Sequence, residues 1–435
     1  MNCITASTPL LSLLGAPDSP DMTTAKLSAE FELILQCVRR QLDQINAAGA
    51  TQALGGVGED CLAPIQVDAD KVDWEQIPRL AWRHKLAPVV YSGVSSLKSP
   101  DVPGEIIANL RKTNSAVVRE SMALAGELVR IVRLFRKANL PIVAFKGPTL
   151  ASDLYGGLHC RQFIDLDLLI RPRDLFPALQ IFDELGYRLN GPSLQHMDRR
   201  HLPSFLARFN DQALVRQTPT GRSIVELHWR FTNDPSFFTT DYDVIFDMPN
   251  FTSLGGQKVQ ILAPCQQLIY LAFHCTKHQC TRLSWLCDFA LALNRMSPAE
   301  WTKVICEATP TAQRCLIAAV LMLEQLGLVS NLKDRGIDFV HWRRGMKPVL
   351  STMLGALTAD EAFRPTATFK LVFWRARLSG KWRPFLVPPL RYMLPQPDDL
   401  AKGGRVRPYL SRWYYLVIFW PRLLRKACIG LKDAE

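Results

Sequence analysis

Hydrophobic and polar positions alternate strictly over residues 164–170, with Ile164, Leu166, Leu168 and Ile170 on one side and Asp165 and Asp167 on the other. A period of two is the mark of a strand. Upstream, residues 140–145 form a short apolar run that opens onto Lys146 and Gly147. Pro148 suits the first position of a helix, where a missing N–H costs nothing, and Gly156-Gly157 stops that helix. Downstream, residues 223–230 alternate again, placing Val225, Leu227 and Trp229 on one face and Ile224, Glu226 and His228 on the other. Between these strands Leu175, Ala178, Leu179, Phe182 and Leu185 recur at helical spacing, with Asp174 as N-cap and Gly186 as the stop. A further strand is predicted at residues 258–262.

Helical periodicity dominates on both sides of this block. Residues 27–48 read as an amphipathic helix broken by Gly49, Gly55, Gly56 and Gly58, and Asp73 reads as the N-cap of another. Within residues 104–138, Leu124, Leu128, Ile131 and Phe135 form a stripe that predicts a long helix packed on the sheet. Pro264 opens a mostly helical block, and residues 316–328 have the composition of a buried bundle helix. The expected fold is α+β, a small mixed sheet flanked by N-terminal and C-terminal helical subdomains. Five segments follow: a disordered lead-in at 1–26, a helical subdomain at 27–138, an α/β core at 139–262, a helical subdomain at 263–356, and a tail at 357–435.

Composition narrows the class without changing the fold. The chain has 435 residues, 48% hydrophobic and 21% charged, which is ordinary for a globular protein. No apolar run approaches the roughly 18–20 residues that a membrane-spanning helix needs. Eleven cysteines are scattered without ligand spacing, and the opening residues carry no basic region of a secretory signal, so reduced cysteines and a cytoplasmic location are expected. Charge is uneven. From residue 364 onward 15 Lys and Arg stand against 4 Asp and Glu, so this stretch holds +11 of the net +12.

The candidate chemistry lies on the polar faces of the two alternating strands. Asp165 and Asp167 repel one another and resist desolvation, so something must offset the cost of placing them there. A divalent cation held by both would do so, because Mg²⁺ takes hard oxygen ligands and brings phosphates with it. Glu226 supplies a third carboxylate. Read blandly, the same acids are a capping Asp, a salt-bridged Asp and a surface Glu; the glycine turn upstream and the Glu-Leu-His strand downstream favour the metal.

Together these residues resemble a known family. Lys146-Gly147, Tyr155, Arg161-x-x-x-Asp165-x-Asp167-Leu168-Leu169, Gly186-Tyr187 and Glu226-x-His228-Trp229 are similar to the pattern of an uncharacterised bacterial nucleotidyltransferase family within the polymerase-beta-like superfamily. Asp73-Trp74 and His84 upstream, and His274, Lys277, His278, Trp285 and Asp288 downstream, extend the resemblance over most of the chain. It implies a sheet of nucleotidyltransferase type and attack of a hydroxyl on the α-phosphate of an NTP. Asp165 and Asp167 would hold two Mg²⁺ ions, with Glu226 as a further ligand or base. Lys146 and Arg161 are the cations implied for the triphosphate, with a solvated strand end and a core salt bridge as their alternatives. Gly147 would admit the backbone to it. The superfamily shows Gly-Ser after its first strand where this chain has Gly147-Pro148-Thr149, so Thr149 is a candidate for the missing hydroxyl.

His274 and His278, at i and i+4, share a helix face near Cys275 and Cys280, which raises zinc as one reading. The resemblance instead implies a helical platform, with His228, His274, His278 and Asp288 on the substrate side or bonded in the core. Trp285 reads as packing. In the tail, residues 413–420 are WYYLVIFW with basic flanks, which fits a packed terminal helix, an anionic membrane surface or, least well, nucleic acid. The expected function is transfer of a nucleotidyl group from an NTP to a hydroxyl of a protein, peptide or small molecule. The alternatives are a non-catalytic nucleotide-binding scaffold and an accessory protein peripheral to the inner membrane surface through residues 403–435.

Overall fold

A computed structural model describes residues 27–54, 64–97, 102–190, 202–219, 221–232, 238, 240–329, 332, 340–359, 374 and 378. The chain opens with helices α1 (Ala29–Leu54), α2 (Gln76–Arg83), α3 (Ala87–Ser96) and α4 (Gly104–Lys137). The mixed region follows as β1 (Val143–Ala144), α5 (Pro148–Tyr155), β2 (Leu166–Leu169), α6 (Leu175–Glu184), β3 (Arg188–Asn190), α7 (Leu202–Arg208), β4 (Asp211–Thr218), β5 (Gly221–His228), α8 (Tyr242–Asp247), β6 (Asn250–Leu254) and β7 (Gln257–Ile261). Helices α9 (Pro264–Lys277), α10 (Leu283–Asn294), α11 (Pro298–Glu307), α12 (Pro310–Gln325) and α13 (Val340–Thr358) complete it. The protein is α+β, as expected.

Seven strands make one mixed sheet in the order β3-β4-β5-β2-β1-β7-β6. At its centre β1 runs antiparallel to β2, pairing Ala144 with Leu168, while β2 runs parallel to β5 and pairs Asp167 with Glu226. Parallel pairing of those two residues puts their side chains on one face, and His228, two positions on, joins them. The opposite face is apolar: Leu166, Leu168, Val225 and Leu227 are all buried. Phe135 of α4 meets Phe182 of α6 at 5.6 Å between ring centres. Each such fully buried side chain contributes about 1.5–3 kcal/mol.

Residues 27–191 and 209–364 form one compact unit, which carries all seven strands. Residues 1–26, 192–208 and 365–435 form a second, of which α7, Trp374 and Leu378 are described. The expected lead-in lies outside the described residues, as does the basic aromatic segment apart from residues 357–359, 374 and 378, with its membrane contact at 403–435. Among the described residues no helix is long and apolar enough to cross a membrane.

Local departures have physical causes. Helix α1 continues past Gly49 to Leu54, because one glycine inside a helix costs only about 1 kcal/mol. Asp73 does not cap α2. Its carboxylate accepts from the N–H of Glu75 at 3.1 Å and from the Gln76 side chain at 2.8 Å, a turn just ahead of the helix. Strand β2 starts at Leu166, so Asp165 lies in the preceding bend, and Ile164 is 40% exposed rather than part of the apolar face.

Candidate active site

The site grows from the turn after β1. Gly147 has φ 68°, and a Cβ there would come within 3.1 Å of the Asp165 carbonyl oxygen. Only glycine fits both the backbone conformation and the close approach. That turn brings Lys146 over the polar face of β2, where its Nζ lies 2.7 Å from Asp167 Oδ1. Asp167 is 2% exposed, and its neighbours across the sheet are Glu226 and His228. His228 Nε2 lies 3.7 Å from Asp167 Oδ1 and 3.5 Å from Glu226 Oε2. One ligand atom from each of Asp167, Glu226 and His228 falls within 4.8 Å of the others, the one such cluster among the described residues.

Charge balance in this cluster is set by burial and by Lys146. Burial raises the Asp167 carboxyl, but the Lys146 cation overrides it and holds the group below the usual carboxylate range. For Lys146 itself burial opposes the charged form, and the Asp167 charge outweighs that and raises the ammonium above its ordinary pKa. Asp165 is pushed up to about 6, first by burial and then by the charge of Asp167. His228 loses protonation through burial and regains more from Asp167 and Glu226, which bring it to about 9.

The buried polar atoms fit a cation. Both ring nitrogens of His228 lack a hydrogen-bond partner although they are buried, and His228 lies edge-on to Phe145 at 5.2 Å. Unpartnered buried polar atoms are costly in a folded protein, and an oxygen–nitrogen set at this spacing is chemically suited to a divalent ion.

The other expected residues are distributed between this cleft and its supports. Arg161 is buried and forked onto Asp288, with Nε to Oδ1 at 2.7 Å and Nη2 to Oδ2 at 2.8 Å. Tyr155 donates to the same Asp288 Oδ1 at 2.7 Å. Arg161 and Asp288 therefore complete one another rather than standing at the cleft rim. The Thr149 hydroxyl is buried and donates toward the carbonyls of Ala144 and Lys146, at 3.3 and 3.1 Å, which ties it to the turn. His274 is half-buried beside Tyr270, and burial, then the Lys146 charge, lowers its pKa well below the ordinary value. His278 is exposed and packs on Trp285 at 5.3 Å. Cys275 and Cys280 are buried thiols with sulfurs 2.6 Å apart, and neither joins a histidine in a ligand cluster among the described residues.

Sequence reasoning passes over three residues here. Tyr270 packs on Phe145 at 5.0 Å and lies under Lys146; it stands four residues before His274, so the stripe 270, 274, 278 carries that signal. Lys85 and Arg282 both feel the charge of Asp165. No local pattern marks them, since they lie far apart in the chain.

Comparison with known proteins bears on the same residues. A family described as "Uncharacterised nucleotidyltransferase" matches residues 70–326, more than half of the chain and the whole of this site. No curated protein matches. Among solved structures, the crystal structure of an antigenic nucleotidyltransferase-like protein from Paracoccidioides brasiliensis is similar over 53% of this chain and 92% of that one, at 15% identity and a TM-score of 0.28.

Proposed function

The chain belongs to the family of uncharacterised nucleotidyltransferases, and from that premise we propose that it transfers a nucleotidyl group from an NTP, such as ATP, to a hydroxyl of a protein, peptide or small molecule. The observation that carries this reading is the convergence of Asp167, Glu226 and His228 ligand atoms within 4.8 Å on one face of the sheet. Those three residues would hold a divalent cation, with Asp165 beside them for a second. When bound, Mg²⁺ would polarise the α-phosphate and neutralise charge on the leaving group.

The chain's own groups supply the rest. Gly147 lets the β1–α5 turn approach the phosphates closely, and Lys146 places an ammonium next to Asp167. Glu226, whose side chain is 39% exposed and so open to solvent, takes the hydroxyl proton. The bond from acceptor oxygen to the α-phosphorus forms, the bond to the bridging oxygen breaks, and its electron pair leaves with pyrophosphate. Arg161, Asp288 and Tyr155 act at one remove by fixing the segment that leads into Asp165.

Binding tests this first. Labelled NTPs should bind the full chain only with Mg²⁺ present, and Asp167→Asn should abolish that binding. Wild-type protein that binds no NTP with Mg²⁺ would sink the reading and leave a scaffold.

A further inference from the structure

The two cations expected to meet the triphosphate are already engaged by carboxylates, Lys146 by Asp167 and Arg161 by Asp288. Two others are not. Among the described residues neither Lys85 nor Arg282 forms a salt bridge, and both are half-buried.

Their placement is built rather than incidental. Lys85 lies between α2 and α3 with φ 58°, a left-handed backbone that lysine seldom adopts. Such a conformation persists only where neighbours fix it. His84 does so: its Nδ1 accepts from the Leu283 N–H at 3.2 Å, and its carbonyl accepts from the Ser284 N–H at 3.3 Å. Arg282 is the N-cap of α10, immediately before those two donors, so the bonds that hold the Lys85 turn also hold Arg282 beside it. Each cation rests on an aromatic face, Lys85 Nζ at 5.3 Å from the Trp82 ring centre and Arg282 at 5.1 Å from that of Trp285.

The electrostatics agree with the geometry. Burial lowers the pKa of both groups, the Arg282 charge lowers Lys85 further, and Asp165 acts on both in the opposite sense, as Glu120 does on Lys85. The His84 bonds thus hold two like charges near one another, partly out of water and within reach of the Asp165 charge. An anion between them would relieve their repulsion and complete their hydrogen bonding.

We propose that Lys85 and Arg282 form a clamp for the β- and γ-phosphates of the NTP and for the pyrophosphate product. This rests on the nucleotidyl-transfer reading and adds to it the residues that receive the leaving group. The Asp165 charge acts on Lys146 as it does on Lys85 and Arg282, so the substrate's phosphates would run from the metal ligands toward the His84–Leu283 junction.

Calorimetric titration of the full chain with inorganic pyrophosphate, ATP and AMP, each with Mg²⁺, tests the clamp. Lys85→Asn suits the left-handed backbone, because asparagine tolerates it, and removes the charge. Lys85→Asn and Arg282→Gln should each weaken pyrophosphate and ATP binding about tenfold, the loss of one charge-assisted hydrogen bond, and leave AMP binding unchanged. Arg282→Lys should stay within about threefold of wild type. Unchanged pyrophosphate affinity in variants that melt like wild type would overturn the clamp and leave the transfer reading standing, and so would an equal loss toward AMP. Wild-type protein that binds neither pyrophosphate nor ATP would overturn both. If Lys85→Asn alters the melt, Arg282→Gln, from a separate element, decides alone.

Discussion

At the scale of single residues, the Lys146–Asp167 pair governs the site. Breaking a buried ion pair by removing one partner is costly, since the other charge stays stranded in a poor solvent. Asp167→Asn should therefore destabilise the fold by about 3–5 kcal/mol in urea unfolding, and Lys146→Met in the same chain should recover most of that loss. A fully additive cycle would refute the coupling. The carboxylates Asp167 and Glu226 are legible in the sequence because alternation fixes their faces, whereas Asp165 lies in the bend before β2. Their neutralisation is not: the sequence places two like charges two residues apart, whereas the fold supplies a cation from the turn after β1. A second residue gives a pH signature. His84 is buried, and burial, then the charge of Arg83, lowers its pKa to about 3. The folded protein keeps this ring neutral while the unfolded chain binds a proton below the ordinary value near 6.5. Its contribution is thus present at neutral pH and is lost as pH falls from about 6.5 toward 3, by up to about 1.4 kcal/mol per unit. His84→Asn, which keeps an acceptor near Nδ1, should flatten this part of the stability profile; a wild-type slope unchanged in the variant would exclude His84 as its source.

At the scale of elements, the turn between β1 and α5 aligns the site with the sheet. Gly147→Ala would place a Cβ 3.1 Å from the Asp165 carbonyl at φ 68°. We expect a cost of about 1–2 kcal/mol from the left-handed backbone alone, and weaker Mg²⁺-dependent NTP binding as Asp165 shifts. Thermal melts and NTP titration check both; a variant equal to wild type in each would show that the turn is not a constraint. Strands β2 and β5 were readable because one face of each is strictly apolar, and α6 because its stripe is bounded by Asp174 and Gly186. The support offered by α10 was not readable. Asp288 reaches Arg161 and Tyr155 through contacts between residues 127 and 133 positions apart, which no local period records. For the same reason the sequence leaves Arg161 open between a phosphate ligand and a core salt bridge, and its fork is made on the Asp288 carboxylate.

At the scale of the whole molecule, charge and chemistry fall in different stretches of the sequence. The basic stretch from residue 364 holds +11 of the net +12, while the site lies in the nearly neutral remainder. If residues 403–435 seek anionic membranes, each cation near the surface contributes about 1 kcal/mol and is screened within a Debye length. Full-length protein should then sediment with anionic vesicles at low salt and be released at high salt, and deletion of 403–435 should abolish this without altering NTP binding. Protein that stays in the supernatant at low salt would exclude it. The reaction itself is tested most directly by following two labels through one incubation with Mg²⁺ and candidate hydroxyl acceptors. Label in the α-phosphate of the NTP should pass to the acceptor, label in the γ-phosphate should appear in pyrophosphate, and Asp167→Asn, at a temperature where it is folded, should stop both. Passage of the γ-label to the acceptor, or release of pyrophosphate undiminished in Asp167→Asn, would contradict nucleotidyl transfer at this site.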